Sequence, residues 1–238
     1  MSATGHQADR AAPVEPMSLK EALEGPYQPE WESSMGEEIA CLAKTLIWEL
    51  VPRPPGVRVL GSSWKFHIKQ DSASGICKFK SRLVAQEFAQ QRGINYSETY
   101  SPVIKRKSIR LMLALSVELN LCGEHVNVVS AYVNSPIQED VYMEQPKHFV
   151  IGDRGVMVCE LNKCLCGLKQ SGREWYRMIK TIRYNMGFRA TIGDPCLFYH
   201  SLRKLFVGLY VDDLGVWGLQ ESVDWFKSNI VCRWKPKN

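Results

Sequence analysis

A chain of 238 residues, 45% hydrophobic and 23% charged, can bury a substantial core and has an ordinary globular composition, which argues against a fibrous or wholly disordered protein. No apolar run approaches the ~18 residues of a membrane span, and the opening MSATGHQADRAAPVEP carries acid, base and proline where a secretory leader needs an unbroken apolar stretch. The net charge of +5 is uneven, with three Lys/Arg against nine Asp/Glu in residues 1–50 and ten against four in residues 61–120, so the basic stretch is either a solvated face or suits a polyanion.

Residues 1–16 read as a disordered lead-in. Trp31, Met35, Ile39 and Leu42 recur at helical spacing and predict a helix from Pro29 to Lys44. The run Pro52-Arg53-Pro54-Pro55-Gly56 separates that helix from the next ordered element. Trp64, Phe66 and Ile68 alternate with Lys65, His67 and Lys69; Asp71 to Gly75 supplies a turn; Cys77, Phe79 and Ser81 alternate with Lys78, Lys80 and Arg82. That pattern predicts a hairpin with one basic face. A helix is expected from Ser108 to Leu119, buried along Ile109, Leu113, Ala114 and Val117. Short strands are expected at Val126–Val129, Val141–Met143 and Val156–Leu161, then a helix at Ser171–Asn185 that Gly187 stops.

Three further strands, Leu197–Tyr199, Leu205–Val211 and Leu214–Trp217, close the chain, with Asp212-Asp213 at a hairpin turn between the last two. Helices mixed with mainly antiparallel strands, without regular βαβ alternation or any repeat, indicate an α+β layered fold. The eight cysteines are scattered without paired ligand spacing, which points to reduced thiols rather than a zinc site.

Tyr210-Val211-Asp212-Asp213 is the sharpest local signal. Adjacent carboxylates at a tight turn repel unless a cation lies beside them, and Mg²⁺ with substrate phosphates is the natural partner for phosphoryl transfer. A solvated Asp-Asp turn is the plainer alternative.

These four residues resemble the YVDD box of reverse transcriptases, and the rest of the chain is similar, in order, to the Ty1/copia type. Trp31, Met35 to Glu38, Trp48 to Val51, Trp64 to Phe66, Lys80 to Gln86, Tyr96 to Val103, Ser130 to Asn134, Val141 to Pro146 and Gly167 to Gln170 carry the resemblance over about residues 17–238. It implies the fingers (17–123) and palm (124–238) of a right-hand polymerase with a mainly antiparallel palm sheet. Its implied activity is RNA-directed DNA polymerase, with two Mg²⁺ ions, an RNA or DNA primer-template and deoxynucleoside triphosphates. By position, Asp212 and Asp213 would ligate metal, Lys80 and Arg82 would grip the triphosphate, Tyr132 would be the gate beneath the sugar, and Gly167 and Gln170 would position the templating pair. Without the family, Lys80 and Arg82 are a solvated strand face, Tyr132 a packed aromatic and Gly167 to Gln170 a packed loop.

The chain also departs from the pattern. Asn127 stands where the family has its first catalytic aspartate, removing one charge from the metal site. Glu124 lies three residues earlier and faces the other way in a strand. Glu87 replaces a usual glycine and Cys166 a usual tyrosine, and the sequence ends soon after the YVDD box, before the family's thumb. The expectation is a polymerase fragment defective in catalysis; the alternatives are a non-catalytic nucleic-acid-binding module using Lys65 to Arg110, or a remnant without function. An intracellular location, cytoplasmic or nuclear, is expected.

Overall fold

The computed structural model describes residues 14–70, 77–128, 131–153 and 155–234. The expected lead-in up to residue 13, the hairpin turn at 71–75 and Ser130 lie outside the described residues. In chain order the elements are α1 (Leu19–Glu24), α2 (Gln28–Lys44), β1 (Trp48–Pro52), β2 (Val59–Leu60), β3 (Ser62–Gln70), β4 (Cys77–Ala85), α3 (Arg106–Glu118), β5 (Cys122–Asn127), β6 (Tyr142–Met143) and β7 (Met157–Leu161). There follow α4 (Ser171–Asn185), β8 (Arg189–Ala190), β9 (Leu197–His200), β10 (Leu205–Tyr210), β11 (Asp213–Gly218) and α5 (Gln220–Trp234). The mixed α+β class is as the residue pattern predicts.

Two hydrophobic cores organise the chain. In the first, α2 lays Trp31, Met35 and Leu42 against Trp64, Phe66 and Leu83 of the β3–β4 hairpin. The Trp31 ring meets Phe79 and Phe66 edge-on at 4.7 and 5.1 Å, an arrangement that aromatic quadrupoles favour. Ser34 fastens the two elements, its hydroxyl donating to Phe79 O and accepting from Ser81 N. The opposite face of the hairpin is basic: Lys65 is paired with Arg82, His67 with Lys80 and Lys69 with Lys78. Like charges directly across a ladder are unfavourable unless something anionic lies over them.

The second core is built on an antiparallel sheet in the order β5-β11-β10-β9-β8. Because side chains alternate, Val126, Leu214, Val216, Leu209 and Val207 share one face, which α4 and α5 cover with Trp175, Ile179, Val223 and Phe226. The other face carries Asn127, His125, Asp213 and Tyr210 and is flanked by α3. Neither core is one continuous stretch. After β5 the chain returns to the first core, contributing Val133, Val141, Met143, Cys159, Leu161, Leu165 and Leu168, and β7 and β6 join β1 and β2 in a four-stranded sheet.

The expected buried stripe of α3 is corrected. Met112 is the buried residue, with Ile109 and Leu115 packed beside it, whereas Leu113 is 55% and Val117 84% exposed. The helix is apolar nearly all round, at Ile109, Leu111, Met112, Leu113, Leu115, Val117 and Leu119, so periodicity cannot choose the face; the sheet does.

Two buried charges have opposite fortunes. Asp194 caps α3 from outside, accepting from Lys105 N (2.8 Å) and the Ser108 hydroxyl (2.6 Å), and also from Cys196 N (2.9 Å). Burial opposes its charge, but the bonds from Ser108, Lys105 N and Cys196 N together hold its carboxyl below the ordinary value. Arg183 of α4 is fully buried over the Phe198 ring at 4.6 Å, and among the described residues none of its guanidinium nitrogens has a hydrogen-bond partner. Burial pushes it down to about 9.

Asp194→Ala is expected to destabilise the fold by about 2 kcal/mol, read by urea denaturation at pH 7. A depressed acid stabilises above its unfolded-state value, so the difference from the unmodified chain should vanish as pH falls through the folded value. Arg183→Met should raise stability by about 1–3 kcal/mol, since a buried cation without a partner is replaced by a packed apolar chain; an unchanged or lower thermal midpoint would contradict this.

Candidate functional site

The site is built around the β10–β11 turn. Tyr210 pairs with Asp213, leaving Val211 and Asp212 to make the turn. Val211 has φ +54°, a left-handed conformation that costs a β-branched residue about 1–3 kcal/mol. The turn is held from both sides: the Trp175 indole Nε1 donates to Val211 O at 2.6 Å, and Val128 N donates to Asp212 O at 2.8 Å. The first of these bonds ties the acidic turn to the middle of the second core through α4.

The two aspartates part at this turn. Asp212 faces a cleft of about 270 Å³ between the two cores, while Asp213 faces the sheet surface beneath α3. Asp213 Oδ1 accepts from Asn127 Nδ2 at 2.9 Å and lies 2.8 Å from His125 Nε2. The Asn127 bond first, and His125 with it, holds the Asp213 carboxyl below its ordinary value. Turning the Asn127 amide over would set its carbonyl against the carboxylate, so donation is the favoured orientation. Glu124 lies on the opposite sheet face, bound to Lys227 of α5 and accepting from Gln220. Its carboxylate is therefore turned away from Asp213.

Lys80 and Arg82 of β4, Asn127, Tyr132, Cys166 and Asp212 all line the cleft. Burial, and then the neighbouring Arg82 and Lys69, press the Lys80 ammonium below its ordinary value. Burial and the Asp212 charge raise the Tyr132 phenol, and burial raises the Cys166 thiol against the pull of Arg82. Three expected residues lie outside the lining: Asp213, Gly167 and Gln170. Gly167 has φ +94°, and a Cβ there would stand 2.3 Å from Ala85 O, so its glycine is needed for contact with β4. Gln170 is wholly buried, donating to Asn95 O at 2.8 Å and accepting from Gln90 at 2.9 Å. Glu87 is exposed at the start of a short 3-10 turn.

Sequence reasoning missed Glu38, Lys69 and His125. Glu38 lines the cleft, and burial raises its carboxyl against the pull of Lys80 and Arg82. His125 lies two residues before Asn127 and so shares its strand face.

The sequence profile described as Reverse transcriptase (RNA-dependent DNA polymerase) matches residues 45–237. The chain belongs to the reverse transcriptase family. It is 37% identical over 212 residues to the retrovirus-related Pol polyprotein from transposon TNT 1-94 of Nicotiana tabacum, covering 88% of this chain and 16% of the relative. It is 36% identical over 211 residues to the corresponding polyprotein from transposon RE1 of Arabidopsis thaliana, covering 87% and 14%. The Ty1-DR4 Gag-Pol polyprotein of Saccharomyces cerevisiae is 30% identical over 158 residues, covering 66% and 9%. The chain is thus a reverse transcriptase-like domain of the copia/Ty1 type that spans a small part of these relatives. No helix among the described residues is long and apolar enough to cross a membrane.

Members of the family use a divalent metal. Among the described residues no group of three or more His, Cys, Asp or Glu could hold one. Asp213 already receives an amide proton from Asn127 where a cation would bind, and Asn127 brings no charge, so the residues present do not fit a two-metal centre.

Trp175→Phe removes the indole donor and leaves Val211 O unsatisfied beside a strained residue. The expected cost is about 1–3 kcal/mol, measured by urea denaturation, with the amide signals of Val211 to Asp213 broadening or shifting in NMR spectra.

Proposed function

We propose that this chain is the fingers and palm part of a reverse transcriptase, with fingers up to about residue 123 and palm from residue 124, and that it holds primer-template and nucleotide but has lost catalysis. The observation that carries the reading is the Asn127 to Asp213 hydrogen bond beside the YVDD turn. It supplies by an amide proton what the family's metal ion supplies by charge.

In this reading Lys80 and Arg82 hold the triphosphate, as the guanidinium fork and the ammonium point charge are suited to do. Their crowding, which holds Lys80 below its ordinary value, would be relieved by an anion. Tyr132 lies under the sugar. Gly167 and Gln170 act at one remove: Gly167 seats the loop on β4 and Gln170 fixes the start of α4, so they shape the cleft without touching the nucleotide. Of the turn's two aspartates, Asp212 is the one that faces the cleft, opposite Glu38.

A second reading, a nucleic-acid-binding module without catalysis, is favoured by the like-charged ladder of the hairpin. The two share binding and differ in whether one substitution restores chemistry.

The test is primer extension on a poly(rA)/oligo(dT)-type template with Mg²⁺, comparing the unmodified chain, Asn127→Asp and Asp212→Asn. Restoring the missing charged ligand should raise extension by about 10²-fold or more. Extension by the unmodified chain that Asp212→Asn abolishes would show a working polymerase and end the proposal. Binding without extension by any of them would favour the second reading.

A further inference from the structure

Two cavities meet along the seam between α2 and the hairpin. The cleft of about 270 Å³ and a second cavity of about 240 Å³ share Glu38, Cys41, Lys69 and Lys80 in their walls. Three cations line the cleft, Lys69, Lys80 and Arg82, and two carboxylates accompany them, Glu38 from α2 and Asp212 from the acidic turn. Of the two acids, Glu38 alone also lines the second cavity. Three cations against two carboxylates leave the cleft lining with one net positive charge, and neutralising Glu38 would double it.

The local architecture does not call for that charge. Helix α2 runs along the edge of β4 that faces away from β3. Ser34 is bonded there to Phe79 O and Ser81 N. One turn later on the same helix face, Glu38 stands beside the Leu83 backbone N–H. Further along this edge, Ala85 N donates to Cys166 O at 2.9 Å. Position 38 thus needs a hydrogen-bond acceptor, and the carbonyl of a glutamine would serve. Burial opposes the charge of this half-buried carboxylate. The charge is also uncancelled. Lys80 and Arg82 attract it, but among the described residues no ion pair joins either of them to Glu38. Its field therefore reaches whatever occupies the cleft.

We propose that Glu38 is a specificity-determining residue of the cleft, whose charge repels phosphate ligands in proportion to their own and so limits how tightly Lys69, Lys80 and Arg82 hold a free polyphosphate. The inference rests on the nucleotide reading of the cleft and adds to it the residue that sets the ligand's tolerated charge. A Glu38 that only braces β4 would alter the binding of every phosphate ligand alike. A repelling Glu38 must act most on the most highly charged ligand, because Coulomb energy scales with the product of the charges.

The experiment is displacement of a fluorescent deoxynucleoside triphosphate from the whole chain by the mono-, di- and triphosphates of deoxythymidine, at low salt with EDTA present. The neutral variants Glu38→Gln and Glu38→Thr are compared with the unmodified chain, with Glu38→Asp, and with Glu118→Gln, which removes an equal charge from an exposed position outside both cavities. Thermal melts confirm that the variants fold, and the use of two neutral variants keeps the test independent of either one. The neutral variants should bind the monophosphate about 3-fold and the triphosphate about 10-fold more tightly than the unmodified chain, whereas Glu38→Asp and Glu118→Gln change either by less than about 2-fold. An equal gain for all three ligands, no gain, or weaker binding by the neutral variants would overturn the role of Glu38 and leave the nucleotide reading standing. Binding of no nucleotide by any of the chains would overturn both.

Discussion

The bond from the Trp175 indole to Val211 O joins the two halves of the structural problem. The acidic turn needs a strained residue in order to turn Asp212 and Asp213 in different directions, and strain persists only where the surroundings overdetermine it. Here the surroundings are α4, anchored by Trp175 and Ile179 in the second core, and the β5 extension at Val128. Packing energy far from the cleft is thereby converted into the placement of one carboxylate. The residue before that helix is Gln170, whose buried amide is bonded to Gln90 and Asn95, so α4 is tied both to the loop that follows the hairpin and to the acidic turn.

Much of this was readable from the residues. The period-2 run from Trp64 to Arg82 specified the hairpin and its basic face, and the Ser171–Asn185 helix was recoverable end to end because polar residues sharply bound its apolar stripe. The acidic turn was legible too, since two aspartates break otherwise apolar strands. What resisted reading had physical causes. An all-round apolar α3 carries no periodic preference for a face. The split of Asp212 from Asp213 depends on the φ of Val211, which no propensity announces. Gly167 and Gln170 were expected at the site from a resemblance, and the close packing of the one and the buried amide bonds of the other become visible only in three dimensions.

Asn127 and Arg183 show how differently a fold bears two unfavourable residues. Asn127 is locally comfortable: its amide satisfies Asp213, and the strand pairs through it without a break. Arg183 is a thermodynamic burden, a charge in an apolar core over the Phe198 ring with no hydrogen-bond partner for its guanidinium among the described residues. One leaves the architecture undisturbed; the other weakens it without touching the cleft.

The return of the chain to the first core after β5 sets the order in which the molecule can form. Trp31 and Met35 wait for Val141, Met143 and Leu161, more than a hundred residues later, before their cluster closes. Until the chain beyond residue 140 is in place, the hairpin and α2 therefore keep part of their apolar surface uncovered. Such non-local closure is slow, and apolar surface left open while it is incomplete favours aggregation.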